Sequence, residues 1–442
     1  MIGRMNYEQI KRYSLTEIAL LALFVLGLFI AQIVVKVRRR VVLSERMPLI
    51  GSGLSVSMPI SQGWEYEKAW RHESDNSFAL VGQLQISQHQ GVSVQWRYYL
   101  GSSAESAQEI LQRRIHQSGS KISSIETVSG TVPMEYGVMF PTSDSSDPFY
   151  FGIASLDFGR HLELQVYAHR VGIFDIEDIF LALAKSVEYE VPAQLQAGKD
   201  LTETFWKNIE ESLLFRDKSD EAFLIKNITG QPIGYGSFRY SEHAAGENTH
   251  QQISTQQYEH NKSLLDSTLW LDGDEKRFIW KTSFRRVGVE DSRIYTVSSE
   301  MDGTVKISTN FEEDKQFASD TLLMPELFLP ECAVLLLNTR QSKAVVDALS
   351  PDGMLVPTAI ETIDINSALA HSKEMAFAVK VDFLNNPNSF EELYFDTNKK
   401  LIGRFEQYGS QQRLWDVTTV KELKQIFGDS FNITNDVFTF VQ

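Results

Sequence analysis

Residues 18–35, IALLALFVLGLFIAQIVV, constrain this chain more than any other stretch, because eighteen positions carry a single polar side chain, Gln32. Extended back to Leu15 the run reaches 21 residues, enough for a helix to cross a hydrocarbon core of about 30 Å. A helix bonds its own backbone groups, so lipid can surround it. Lys36 and Arg38, Arg39 and Arg40 follow at once, a stop at a headgroup layer and a poor context for signal cleavage. The pattern predicts an uncleaved single-pass anchor, with residues 1–46 as anchor plus basic flanks and residues 15–35 in the bilayer.

The rest of the chain is acidic. Of 42 basic and 58 acidic residues, eight and three lie before position 47, so 34 basic and 55 acidic residues remain beyond it. A body with that balance does not hold phosphate backbones, which excludes nucleic acid as a general partner. With 442 residues, 43% hydrophobic, the chain is long enough for two or three domains with their own cores. One cysteine, Cys332, excludes a disulfide framework and a cysteine zinc finger. Five basic residues after the apolar run, against three and the terminal amine before it, lean toward a cytoplasmic body by the positive-inside rule.

Beyond a short linker at 47–53 the chain alternates apolar and polar residues with period two, the mark of strands. Strand patterns fit 54–59, 78–86, 92–100, 122–128, 134–140, 150–157 and 161–169. Ala104, Ala107, Leu111 and Ile115 fall at helical spacing between Ser103, a candidate N-cap, and Gly119. Ile173, Ile176, Phe180, Leu183 and Val187 line a second helix, and residues 193–200 read as a linker. The order predicts an α+β layer domain over residues 51–191. From 201 to 442 strand patterns fit 223–228, 234–240, 264–272, 277–284, 293–299, 304–311, 390–395 and 401–407. Residues 324–337 read as a helix or buried run, and Thr418 as the cap of a last helix ending at Gly428. This second part predicts a curved antiparallel meander with one or two helices.

Residues 53–66, GLSVSMPISQGWEY, with the Gly63-Trp64 pair, and the closing phrase ALAKSVEY at 182–189 resemble the PsbP-type α/β/α sandwich family over residues 51–191. Membership there implies an accessory or partner-binding domain; no functional residue of the family carries over. The hairpin pattern of residues 201–442 resembles the LolA-type lipoprotein-carrier half-barrels, which implies a concave face that accepts an acyl chain or a peptide. Both families are common outside the cytoplasm, so the resemblances imply an extracytoplasmic, periplasmic body, against the lean of the flanking charges.

Strings that carry known chemistry are absent: no Walker-type or dinucleotide glycine loop, no G-x-S-x-G and no H-E-x-x-H. His243, His250 and His260 lie in a polar stretch without metal-ligand spacing, which reads as a solvated loop. Cys332 has apolar neighbours and reads as a buried, inert thiol. Glu361 with Asp364, and Glu290 with Asp291, have the residue types of an acid–base pair, but so many carboxylates supply such pairs by chance. Asn227 and Asn432 sit in glycosylation-type tripeptides. Trp270 and Trp280, on neighbouring strand patterns, are either the lining of a ligand cavity or cross-strand core partners. The sum is a non-catalytic membrane-anchored protein that binds a protein partner or an apolar ligand, with no cofactor and no metal. The alternatives are a structural accessory subunit of a membrane complex, or an enzyme whose site only the fold assembles.

Overall fold

In a computed structural model of the chain, the described residues are 15–38, 43–48, 53–58, 65–72, 78–85, 92–100, 106–142, 147–157, 159–168, 176–208, 221–245, 248–259, 263–272, 277–286, 292–299, 304–318, 322–370, 374–384 and 388–428. Helix α1 runs over Leu15–Arg38. Its side chains are described from Ala19 to Ile30, and they are exposed. Among the described residues no helix is long and apolar enough to cross a membrane. The single-pass anchor, and the cell-membrane localisation with an extracytoplasmic body that hung on it, are therefore corrected.

A short sheet joins β1 (Met47–Pro48), β2 (Leu54–Val56) and β11 (Glu188–Tyr189). A second sheet is built from β3 (Glu65–His72), β4 (Phe78–Gln85), β5 (Val92–Leu100), β6 (Lys121–Ile122), β7 (Glu126–Val128), β8 (Met134–Phe140), β9 (Phe149–Ser155) and β10 (Arg160–Ala168). Its order is β3-β4-β5-β10-β9-β8-β6, with β7 also on β8, and every pair is antiparallel. Strand alternation divides β9 between two helices. Phe151 and Ile153 pack with Ile110 and Leu111 of α2 (Ala107–Ser118), while Tyr150 packs with Phe180 of α3 (Glu177–Ser186). Helix α2 starts one turn later than its apolar spacing suggests. Ser106, not Ser103, caps it, in a reciprocal box with Glu109, and Gly119 closes the other end in the left-handed region.

Residues 193–200 are not a linker. They open helix α4 (Ala193–Lys207), which buries Leu195, Ala197, Leu201, Phe205 and Trp206. A Cβ on Gly198 would lie 1.7 Å from the carbonyl oxygen of Val345, so only glycine admits this contact between helix and strand.

Among the described residues the large sheet has fifteen strands. One arm is β12 (Glu221–Asn227), β13 (Pro232–Ala245), β14 (Asn248–Glu259), β15 (Ser263–Asp272), β16 (Arg277–Arg286), β17 (Ser292–Ser299), β18 (Thr304–Thr309) and β19 (Lys315–Ala318). The other is β20 (Met324–Pro325), β21 (Lys343–Leu349), β22 (Leu355–Ile363), β23 (Phe377–Phe383), β24 (Ser389–Phe395), β25 (Leu401–Tyr408) and β26 (Gln411–Thr418). Each arm is an antiparallel meander, except that the short β20 lies parallel to β21, and they join where β12 pairs with β26. The arms also curl toward each other. Ile307 of β18 touches the turn glycine Gly353 between β21 and β22, and one core runs from Phe278 and Val305 to Val379 and Leu393. Residues 324–337 lie in this core as the short β20, a 3₁₀ turn and the helix Leu329–Leu337, which buries Cys332 and Val334.

The α+β class is thus corrected to a mostly β protein. Seven of the described strands of the large sheet escape the sequence pattern, three of them for two physical reasons. KAVVDAL (β21) and LVPTAIETI (β22) are buried nearly throughout, so they do not alternate. NTHQQISTQQYE (β14) is so polar that it reads as loop, yet it pairs along its length with β13 and β15. The remaining four are β19, β20, β23 and β26.

Candidate ligand-binding site

The large sheet encloses a cavity of about 310 Å³ where its two arms meet. Its apolar wall comes from Phe223 on β12, Phe238 on β13, Leu265 on β15, Trp280 on β16, Leu329 at the start of the buried helix, and Trp415 on β26. Cross-strand register explains why these side chains converge. Phe238 lies opposite Glu221, Leu265 opposite Gln257, and Trp415 opposite Ile225. The Trp415 ring leans across β12, and a Cβ on Gly236 would sit 2.3 Å from it, so glycine in mid-strand makes room for the indole.

Of the two tryptophans singled out from sequence, the structure brings one to the cavity. Trp280 is buried, lies opposite Leu269, and donates its indole N–H to the Ser267 hydroxyl, which is 3.0 Å from Thr282 Oγ1. Trp270 follows Leu269 by one residue and so faces the other side of the sheet, half-buried.

The polar end of the cavity was not visible in the sequence. Glu391 on β24 and Glu406 on β25 are directly opposed across the ladder, a costly arrangement for two carboxylates. Arg404 lies between them, with Nε 3.0 Å from Glu406 and Nη1 3.7 Å from Glu391, and its guanidinium stacks 3.7 Å over the Trp415 ring. Tyr408 donates to Glu391 Oε1 at 2.6 Å. Burial pushes the Glu406 carboxyl up, Arg404 opposes that push and Glu391 adds to it. Glu326, in the 3₁₀ turn after β20, also lines the cavity and makes no ion pair or hydrogen bond among the described residues. Burial first, then the charges of Glu391 and Asp352, raise its pKa to about 8, with Arg404 counteracting. Arg404, Glu406 and Tyr408 recur at every second residue, a polar stripe on one face of a strand. That is the one local signal that points to this end.

The other candidates lie elsewhere. His243 and His250 are register partners in the β13–β14 hairpin, not a loop, and His260 lies outside the described residues. Cys332 is buried, and burial raises its thiol pKa well above the ordinary value. Glu361 pairs with Lys343 at 2.9 Å, and Asp364 caps the turn at Asn366. Asn227 accepts from the backbone of Thr229 and Gln231 in the β12–β13 turn. Glu290, Asp291 and Asn432 lie outside the described residues.

No protein-family model matches the chain, and no curated protein matches it. A solved structure described as a β-barrel-like protein of the domain of unknown function DUF1849 from Brucella abortus is 11% identical, with a TM-score of 0.33. It covers 45% of this chain and 95% of its own. So low a score carries no argument about fold or function.

Proposed function

We propose that this protein is a non-catalytic binding protein whose large sheet holds an apolar ligand in the cavity between its arms. The observation that carries the reading is the cavity itself, about 310 Å³ and walled by Trp280, Trp415, Phe223 and Phe238. Cavities of that size with aromatic walls and a few convergent polar groups suit small molecules. Burial of an apolar ligand supplies roughly 25 cal/mol per Å². Raised carboxyls in a cleft are also what acid–base catalysis uses. Here, however, Glu391 and Glu406 are tied to Arg404, and Glu391 also to Tyr408, so neither is free to work against Glu326. That favours binding over turnover. Titration of the full chain with the neutral dye N-phenyl-1-naphthylamine tests the reading. Saturable fluorescence that Leu265→Trp abolishes, by filling the cavity, supports it; unsaturable binding, or binding that the variant leaves unchanged, overturns it.

A further inference from the structure

The cavity is lopsided in charge. Four carboxyls line it, Glu221, Glu326, Glu391 and Glu406, against two guanidiniums, Arg404 and Arg413. Arg404 is already shared by Glu391 and Glu406. Glu326 is half-buried, lines the cavity and has no bonding partner among the described residues. A carboxyl that is partly withdrawn from water and left without a partner gains free energy when something in the cavity bonds to it. An anionic headgroup would meet the charges of Glu391 and Glu406, and a neutral one would form no ion pair with Glu326. We infer that the ligand of this cavity carries a cationic head, a primary ammonium on an apolar body, with the ammonium against Glu326 and the body against Trp280 and Phe238. The inference rests on the binding reading above and names the ligand class for the same cavity.

The groups that face Glu326 set the pH dependence. They are Glu391 from β24, Arg404, Glu406 and Tyr408 from β25, and Asp352 from the β21–β22 turn. Glu221 and Arg413 complete the charged wall. With its pKa near 8, Glu326 holds a proton at neutral pH and releases it when an ammonium arrives. Cation binding is therefore tied to proton release, and affinity rises as the pH climbs from 6 to 8.

Isothermal titration calorimetry of the full chain with octylammonium, 1-octanol and octanoate, matched in chain and different in head, tests the inference. Octylammonium is expected to bind about tenfold tighter than octanol, in line with a charge-assisted hydrogen bond, and octanoate weakest. Its affinity should rise from pH 6 to 8, with a heat that varies with the buffer's ionisation enthalpy. Glu326→Gln should erase the advantage of octylammonium over octanol. If octanol or octanoate matches octylammonium on the unaltered chain, the cationic head is wrong and the apolar-ligand reading stands. If none of the three binds, that reading falls and the inference with it. Should the variant lose its fold, the pH series on the unaltered chain tests the same proton release, and an octylammonium affinity that stays flat from pH 6 to 8 overturns the inference.

Discussion

Glu326 and the Glu391–Arg404–Glu406 row carry most of the consequence that single side chains have here. Glu326 rises from an ordinary 4.5 to about 8 because burial penalises its charged form. A raised carboxyl pKa favours the protonated native state. The stability it contributes is full below about pH 4.5, declines as the pH climbs, and is lost above about 8. Glu326→Gln has no proton to lose in that window. The melting temperature of the variant minus that of the parent should therefore grow from pH 5 to a plateau above pH 8. A difference independent of pH would show that Glu326 ionises in the ordinary range. Arg404→Met is the complementary change. It leaves Glu391 and Glu406 opposed without a cation, and it is expected to cost about 3 kcal/mol by urea unfolding at pH 8. The loss should shrink toward pH 5 as the Glu406 carboxyl takes up a proton.

Among the helices and strands, the contact of α4 with β21 depends most on one residue. Gly198→Ala would push a methyl into the Val345 carbonyl at 1.7 Å, so helix and strand must separate. The expected cost is about 3 kcal/mol, the upper end of overpacking, read by chemical denaturation. At α2 the reciprocal box of Ser106 and Glu109 gives a smaller effect: Ser106→Ala should cost about 1 kcal/mol. The C-terminal helix Val420–Phe427 repeats the device with Thr419 and Glu422. Both helix starts were legible as sequence, yet the spacing alone put each cap at the wrong residue. Ser103 lies three residues before Ser106, and Thr418 one before Thr419. Several residues near a helix start can accept the bond, and packing of the first turn selects among them.

The two main sheets of the molecule are fastened by an ion pair far apart in the chain. Arg160 at the start of β10 gives Asp347 of β21 two bonds, 2.7 and 3.1 Å, and the guanidinium is 3% exposed. Removing one partner strands a buried charge, so Asp347→Ala is expected to cost about 3–5 kcal/mol. The double change Arg160→Leu with Asp347→Leu should recover most of it. A double-mutant cycle with no coupling would deny the bridge this role. Because α4 occupies residues 193–207 and buries its apolar face, proteases should leave that stretch intact while the protein is folded.

What the sequence determined by itself is local. The alternation of RHLELQVYA and RFIWKTSFRR marks strands, the left-handed glycine marks the end of α2, and Asp396 marks a turn in which its carboxylate accepts from Asn398 and Lys400. These signals act over one turn of helix or one hairpin, and the chain displays them in order. The mostly β class was hidden, because strands buried on both faces lose their alternation and a polar strand held between two neighbours needs no apolar face of its own. The apolar run at 18–35 was legible as a helix; its reading as a membrane anchor was not sustained among the described residues. The cavity was decided by tertiary structure alone. Trp280 and Trp415 share one wall only because β12 pairs with β26, and Glu391 meets Glu406 only through the register of β24 on β25. Register is a property of paired strands, and no single strand contains it.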